Sequence, residues 1–247
     1  MKLTLELAKE KALDKVNKEH LLDEKVILTA KVLSAREAIG NPEEYDFPLL
    51  KGKEKIIEAN FKGHLGHAYT DMYGGHEGSL GEVFEMELSN NYRRALQVAT
   101  INALANYWGL VKDTVHCKNE EPRKCAKQSV KFIEEHYCKI NKITFIGYQP
   151  ALIDAFSRKF VLKIFDLDKD NIGKKRFGHV ILNGNENLDN AVKWAELVLA
   201  TGSMIVNNTI DKILTEHSID KVIFYGVTIA GVAELLNLKR ICFSGKH

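Results

Sequence analysis

The chain has 247 residues, 45% hydrophobic and 28% charged, with 35 Lys and Arg against 33 Asp and Glu. That length exceeds one average domain and gives two domains room for a core each. The near balance of charge promises no face to nucleic acid or to an anionic membrane. No apolar run approaches the length of a bilayer span. The opening MKLTLELAKEKALDKV is charged every few residues and has no apolar h-region, so it reads as an amphipathic helix and not as a signal peptide. The expectation is a cytoplasmic protein with no membrane or nucleic-acid partner, and a second copy of the chain stays open as a partner.

In chain order, a helix is predicted over residues 5–20, with Leu5, Ala8, Ala12, Val16 and Leu21 on one stripe. Extended runs follow over 26–34, 55–62 and 81–88, and the Gly-rich HLGHAYTDMYGGHEGS between the last two reads as strand plus loop. Two helices come next. One spans 92–107, with Ser89 or Asn90 as its cap, and the other spans 122–137, with Pro122 in its first turn. This rhythm makes residues 1–139 an α+β unit, joined to the rest at Lys139-Ile140-Asn141-Lys142.

From residue 140 to 247 the beat changes. Continuous apolar runs recur about every twenty residues: ITFIGY, FVLKIFD, HVILN, LVLATG, KVIFYG and RICFSG. Unbroken runs of this kind suit parallel strands buried on both faces. Helical segments over 151–159, 188–195, 208–216 and 230–236 separate most of them, while 167–178 reads as an irregular loop. The predicted architecture is a doubly wound, Rossmann-like parallel sheet with helices on both faces.

In such a sheet, ligands bind beyond the carboxyl ends of the strands, where helix N-termini present unpaired N–H groups. The strand ends here are polar: Gly147-Tyr148, Asp166, Thr201-Gly202-Ser203 and Gly226-Val227-Thr228. Asn207, Asn208 and Thr209 follow close behind Thr201-Gly202-Ser203. The plain reading of Asn207 and Asn208 is helix capping. Glycine beside two hydroxyls at a sheet end points instead to a turn that binds an anion or a carboxylate. Ordinary dinucleotide binding is disfavoured, because GYQPAL replaces the glycine-rich turn, although Asp166 stands where a ribose-binding acid would. Lys174, Lys175 and Arg176 read as a solvated loop.

Two clusters carry metal-ligating side chains. His64, His67 and His76, with Tyr69, Asp71 and Glu77 among them, form a candidate site for a divalent transition metal of unspecified identity. Rings three apart on a strand or loop, however, fall on opposite faces as often as not. Separately, His116, Cys117, Cys125, His136 and Cys138 could be arranged around zinc, yet no CxxC pair is present and free thiols are the expected state. The chain is rich in Lys, Glu and Ile and has three Gln, a composition often met in thermophiles, in which an internal disulfide is tolerated.

ITFIGYQP, FDLD, ATGSMIVNNTIDKIL and FYGVTIAG together resemble the C-terminal motifs of the heavy-metal chelation family, domain of unknown function 364. EGSLGEVFEMELSNNYRRALQVATINAL resembles that family's leading domain, with Arg94, Ala95, Leu96, Ala99, Asn102 and Ala103 filling its helix pattern. The resemblance implies a leading domain like the N-terminal domain of enolase, a Rossmann-like domain after it, and a site in the cleft between. The site residues expected there are Asn102 from the first unit with Gly147, Tyr148, Asp166, Thr201, Gly202, Ser203, Asn207, Thr209, Gly226 and Thr228 from the second. The leading functional expectation is a cytosolic protein that binds a metal ion or a metal-chelating small anion in that cleft. The alternatives are an enzyme acting on a nucleotide-like or phosphorylated ligand, with Asp166 or Glu186 as base, and a purely structural role.

Overall fold

The computed structural model describes residues 3–22, 28–42, 46–52, 54–215 and 218–246. The opening stripe forms α1 (Thr4–Lys18), which buries Leu5, Ala8, Ala12 and Val16. After it come β1 (Leu28–Leu33), α2 (Ala35–Ile39), β2 (Lys55–Phe61), β3 (His64–Thr70) and β4 (His76–Gly78). Residues 26 and 27 of the expected first extended run lie outside the described residues. The four strands make one antiparallel sheet of order β3-β2-β1-β4.

The run over 81–88, expected to be extended, is instead mostly helical: α3 (Leu80–Glu85). The cause is local. Ser79 Oγ accepts from the Glu82 N–H at 3.2 Å while the Glu82 carboxylate accepts from the Ser79 N–H at 2.7 Å. This reciprocal capping box satisfies two otherwise orphaned donors and starts a helix wherever S-x-x-E precedes an apolar turn. Ser34 and Glu37 start α2 in the same way. Asn90 caps α4 (Asn91–Tyr107) through its side chain, as expected.

The second sheet comprises β5 (Lys142–Ile146), β6 (Val161–Asp166), β7 (Lys175–Arg176), β8 (His179–Asn183), β9 (Leu197–Thr201), β10 (Val222–Tyr225) and β11 (Arg240–Ile241). Its order is β11-β10-β9-β5-β6-β8-β7, parallel throughout except for β7 against β8. The chain runs outward from β5 to β6 and β8, then returns to β9 and runs the other way. Strand order therefore reverses between β5 and β9, which is where open sheets of this kind leave a crevice.

Both faces of this sheet are covered. Phe145, Leu199 and Ile223 pack under α5 (Glu121–His136) and α6 (Pro150–Ser157). Val198, Ala200 and Phe224 pack under α7 (Leu188–Trp194) and α8 (Ala230–Leu236). The helix expected over 208–216 does not form. Two 3-10 turns, Gly202–Met204 and Ile210–Lys212, flank Asn208 at φ 56°. That left-handed backbone cannot continue a helix, and asparagine is among the few residues that adopt it readily. Residue 216 lies outside the described residues.

The two sheets are joined through α4, which packs on β2 and β3 on one side and on α8 on the other. The approach on the β3 side is close. A Cβ on Gly66 would stand 2.2 Å from the Ala99 carbonyl oxygen and 2.3 Å from the Ala103 nitrogen. At the centre, fully buried Asn102 donates through Nδ2 to the carbonyls of His67 (2.8 Å), Val227 (3.2 Å) and Thr228 (2.9 Å), and its Oδ1 accepts from the Gly231 N–H (2.7 Å). Asn102→Ala would leave these buried groups without partners, and each costs about 1–3 kcal/mol. The variant should lose roughly 3 kcal/mol or more in chemical denaturation; a loss within ~0.5 kcal/mol would contradict the clamp.

Candidate functional site

At the reversal of strand order, between the two sheets, lies a cavity of ≈ 840 Å³. Its floor is built from the ends of β5, β9 and β10. Gly147 follows β5 with φ 94°, and a Cβ there would meet Thr201 Cγ2 at 2.6 Å and the Tyr225 hydroxyl at 2.9 Å. Glycine is required by the backbone angle and by the space. The Tyr225 hydroxyl donates to the Ile146 and Gly147 carbonyls at 3.1 and 2.9 Å, which ties β10 to β5. The Tyr69 N–H donates to Thr228 Oγ1 at 3.2 Å, tying β3 to the turn after β10.

Of the expected site residues, Gly147, Tyr148, Asp166, Thr201, Ser203, Asn207, Thr209, Gly226 and Thr228 line this cavity. Two do not. Gly202 faces inward, where a Cβ would meet Ile229 at 2.9 Å, so its role is packing of the 3-10 turn against the turn before α8. Asn102 is the buried clamp described above and is not part of the lining. Glu186, one of the two bases considered, is exposed, accepts from Asn183 Nδ2 at 2.6 Å, and lies outside the cavity.

Charge distinguishes the lining. Glu54, Asp71, Asp166, Asp168 and Asp170 face Lys169 and Lys212, five carboxylates to two ammonium groups. Asp166 is gripped by backbone: Oδ2 accepts from the Tyr148 N–H and Oδ1 from the Asp168 N–H, each at 2.6 Å. Burial raises its pKa while those donors pull the other way. Asp71 accepts from Asn91 Nδ2 at 2.6 Å. Arg94, bonded to Asn91 and through Nε to the Val206 carbonyl at 2.6 Å, holds the start of α4 against the loop after β9. Glu54 has the most altered carboxyl, pushed up to about 7 by burial first and then by Asp166, Asp71 and Asp168. Sequence reading had no signal for Glu54, which precedes β2 in a segment without a motif. From the histidine-rich stretch it is Tyr69 and Asp71, not the imidazoles, that reach the cavity.

His64, His67 and His76 are not brought together. The His64 ring meets Asn106 Oδ1 at 2.7 Å on the α4 side of β3. His67 is buried on the opposite face, its Nε2 on Glu58 at 2.9 Å and its Nδ1 accepting from the His116 N–H at 3.1 Å. His76 is on β4, at the other edge of the sheet from β3, about 14 Å away at ordinary strand spacing. Nor does the grouping considered for zinc assemble. Cys138 and His136 are exposed, and His136 Nδ1 bonds its own helix at the Phe132 carbonyl, 2.9 Å away. Among the described residues no three His, Cys, Asp or Glu side chains converge as a metal cluster.

Three of that region's residues, His116, Cys117 and Cys125, do line the cavity, and Cys242 joins them from the chain's end. His116 Nδ1 lies 3.2 Å from the Ala38 carbonyl. Burial and His67 hold its pKa down to about 4, so the ring is neutral with Nδ1 as donor. Burial pushes the Cys117 thiol up to about 12. The hydrogen bond between the Cys242 thiol and the Cys125 sulfur draws Cys125 below its ordinary range and raises Cys242 well above its own.

Residues 131–241 match the model of the DUF364 family, described as "Putative heavy-metal chelation", so the resemblance read from the motifs holds over that segment. The stretch over 77–104 lies outside the match. No curated protein matches the chain. Among solved structures, it is similar to a DUF364-family protein of unknown function from Pyrococcus horikoshii, with TM-score 0.55 and 19% identity over 92% of this chain and 79% of that one. A second neighbour, also a DUF364-family protein of unknown function, is from Desulfitobacterium hafniense: TM-score 0.52, 13% identity, 93% of this chain and 81% of that one. At these identities the likeness is one of fold.

The Glu54 carboxyl gives a pH test. Between pH 4.5, the group's ordinary pKa, and about 7, the folded chain keeps a proton that the unfolded chain has released. The stability it contributes is present below about 4.5 and is lost as pH rises through 7. Relative to Glu54→Gln, the parent should therefore lose up to roughly 3 kcal/mol across that window. Parallel denaturation curves for parent and variant from pH 4.5 to 8 would contradict the assignment.

Proposed function

We propose that this DUF364-type chain binds a small ligand carrying positive charge, a chelated or hydrated metal cation included, in the cleft between its two sheets. The observation that carries this reading is the excess of carboxylates around a cavity at the carboxyl end of a parallel sheet. Each carboxylate placed near the others raises the energy of the empty site, and a cation relieves that repulsion. The same excess disfavours a free anion or a phosphorylated ligand. A bare ion coordinated by three protein side chains does not fit, since no such group converges among the described residues. The carboxylates are instead spread around a volume suited to a small molecule. Thr201, Ser203, Asn207 and Thr228 would supply neutral donors and acceptors to orient it.

The strand order favours a Rossmann-like second unit, whereas kinship of the first unit with the leading domain of enolase rests on the motif resemblance alone. Two separate sheets support a division into residues 1–139 and 140–247, although α5, which precedes that junction, packs on α6. A cytoplasmic setting is consistent with four unbridged cysteines. Among the described residues no helix is long and apolar enough to cross a membrane. An enzymatic reading keeps one specific support, the Glu54 carboxyl with its pKa near 7, which suits acid–base chemistry at neutral pH.

Mn²⁺, which keeps much of its hydration when bound, is a suitable probe, followed by electron paramagnetic resonance. Asp166→Asn should weaken its binding roughly tenfold to a hundredfold, and Ser203→Ala roughly threefold to tenfold, as expected for one charged and one neutral contact. Ser203→Ala should leave the melting temperature nearly unchanged. Retention of parental Mn²⁺ affinity by a folded Asp166→Asn variant would sink the proposal.

A further inference from the structure

The cavity has a second kind of donor. Cys125 projects from the first turns of α5, and Cys242 follows β11, 117 residues further along the chain. They meet sulfur to sulfur at the cavity wall. The Phe243 N–H also donates to the Cys125 sulfur, at 3.4 Å. Neither sulfur is bridged to another.

The segment bearing Cys242 is pinned on both sides. Before it, Arg240 donates to the Gly226 carbonyl at 2.7 Å and to the Asp113 carbonyl at 2.9 Å, and pairs with the Asp113 carboxylate at 2.9 Å. After it, Lys246 and Val115 exchange backbone hydrogen bonds at 2.8 and 2.9 Å. Between these ties, a Cβ on Gly245 would stand 3.1 Å from the Cys242 sulfur and 2.6 Å from Asp113. The glycine thus leaves room for the sulfur to sit where it does. The pair is held in place before any ligand arrives, which lowers the ordering cost of binding.

We propose that Cys125 and Cys242 form a two-sulfur site for a soft, thiophilic metal ion of low coordination number, of which Cu(I) is the type. Soft thiolate ligands select such ions, whereas calcium, magnesium and manganese prefer oxygen. Structural zinc wants four ligands in a tetrahedron, and among the described residues no third side chain converges to begin one. Two sulfurs suffice for a linear ion. On binding, two metal–sulfur bonds form and the proton shared by the two sulfurs leaves to solvent, with no change of oxidation state. Cys117 lines the same wall but is not in the pair, and Cys138 is exposed at the far end of α5. This site is independent of the carboxylate-lined reading, because its donors are different residues of different chemistry.

The test is anaerobic titration of the reduced, full-length chain with Cu(I) against a chromogenic Cu(I) chelator. The parent should hold a single Cu(I) per chain. Cys125→Ser and Cys242→Ser should each weaken that binding by at least roughly 100-fold, while Cys138→Ser leaves it unchanged. A reduced parent that takes up no Cu(I), or folded Cys125→Ser or Cys242→Ser variants that bind as the parent does, overturns the proposal. A measurement free of substitutions stands beside it: bound Cu(I) should protect Cys125 and Cys242 from alkylation, read by mass spectrometry, while Cys138 is modified as before. Loss of protection at either of the pair overturns the proposal even if a variant fails to fold. Failure here leaves the Mn²⁺ result untouched, and the reverse holds as well.

Discussion

One carboxamide sets the distance between the two halves of this molecule. Asn102 sits on α4 with no exposure and reads four backbone groups at once, one on β3, two in the turn after β10 and one at the start of α8. Inside a low-dielectric core such bonds are strong, and their absence is costly. The helix can serve both sides only because glycines let backbone approach it from each. Gly66 on β3 is one, and Gly231 on α8 is the other, where a Cβ would meet the Ile101 carbonyl oxygen at 2.8 Å. Asparagine and the two glycines fix how far the antiparallel sheet stands from the parallel one. The width of the cavity follows from that spacing.

The cavity stores electrostatic cost. Carboxylates from both halves meet there: Glu54 and Asp71 from the first, Asp166, Asp168 and Asp170 from the second. Two adaptations keep the empty state tolerable. Backbone N–H groups take up both oxygens of Asp166, and Glu54 keeps its proton to higher pH. The excess of carboxyl over ammonium groups in the lining is the physical basis for the proposed cation. It also argues against carrying over the phosphate-binding habit of other doubly wound sheets, whose glycine-rich turn is missing here.

The cavity carries two kinds of donor. Oxygen donors gather at the sheet ends, sulfur donors where α5 meets the chain's closing segment. Hard and soft cations would sort between these donors by ligand preference alone.

The sequence by itself determined much of the second half. Continuous apolar runs and their spacing located the parallel strands, because burial on both faces leaves no polar alternation to obscure them. The rule that ligands gather at strand ends then located most of the cavity floor, Thr201 and Ser203 among it. The first helix and α4 were legible from their apolar stripe and cap. The helix α3 was legible too, in Ser79 and Glu82, but the apolar stretch behind them suggested a strand. Tertiary structure alone decided the rest. A register three apart on β3 sent His64 and His67 to opposite faces, and strand order put His76 at the far edge. Glu54, Cys125 and Cys242 acquired their chemistry only by meeting partners distant in sequence, and Asn102 moved from expected ligand contact to buried clamp because α8 closed over it. Local pattern fixes which face a residue shows, whereas a site depends on which faces are brought together, and that is set by packing between elements far apart in the chain.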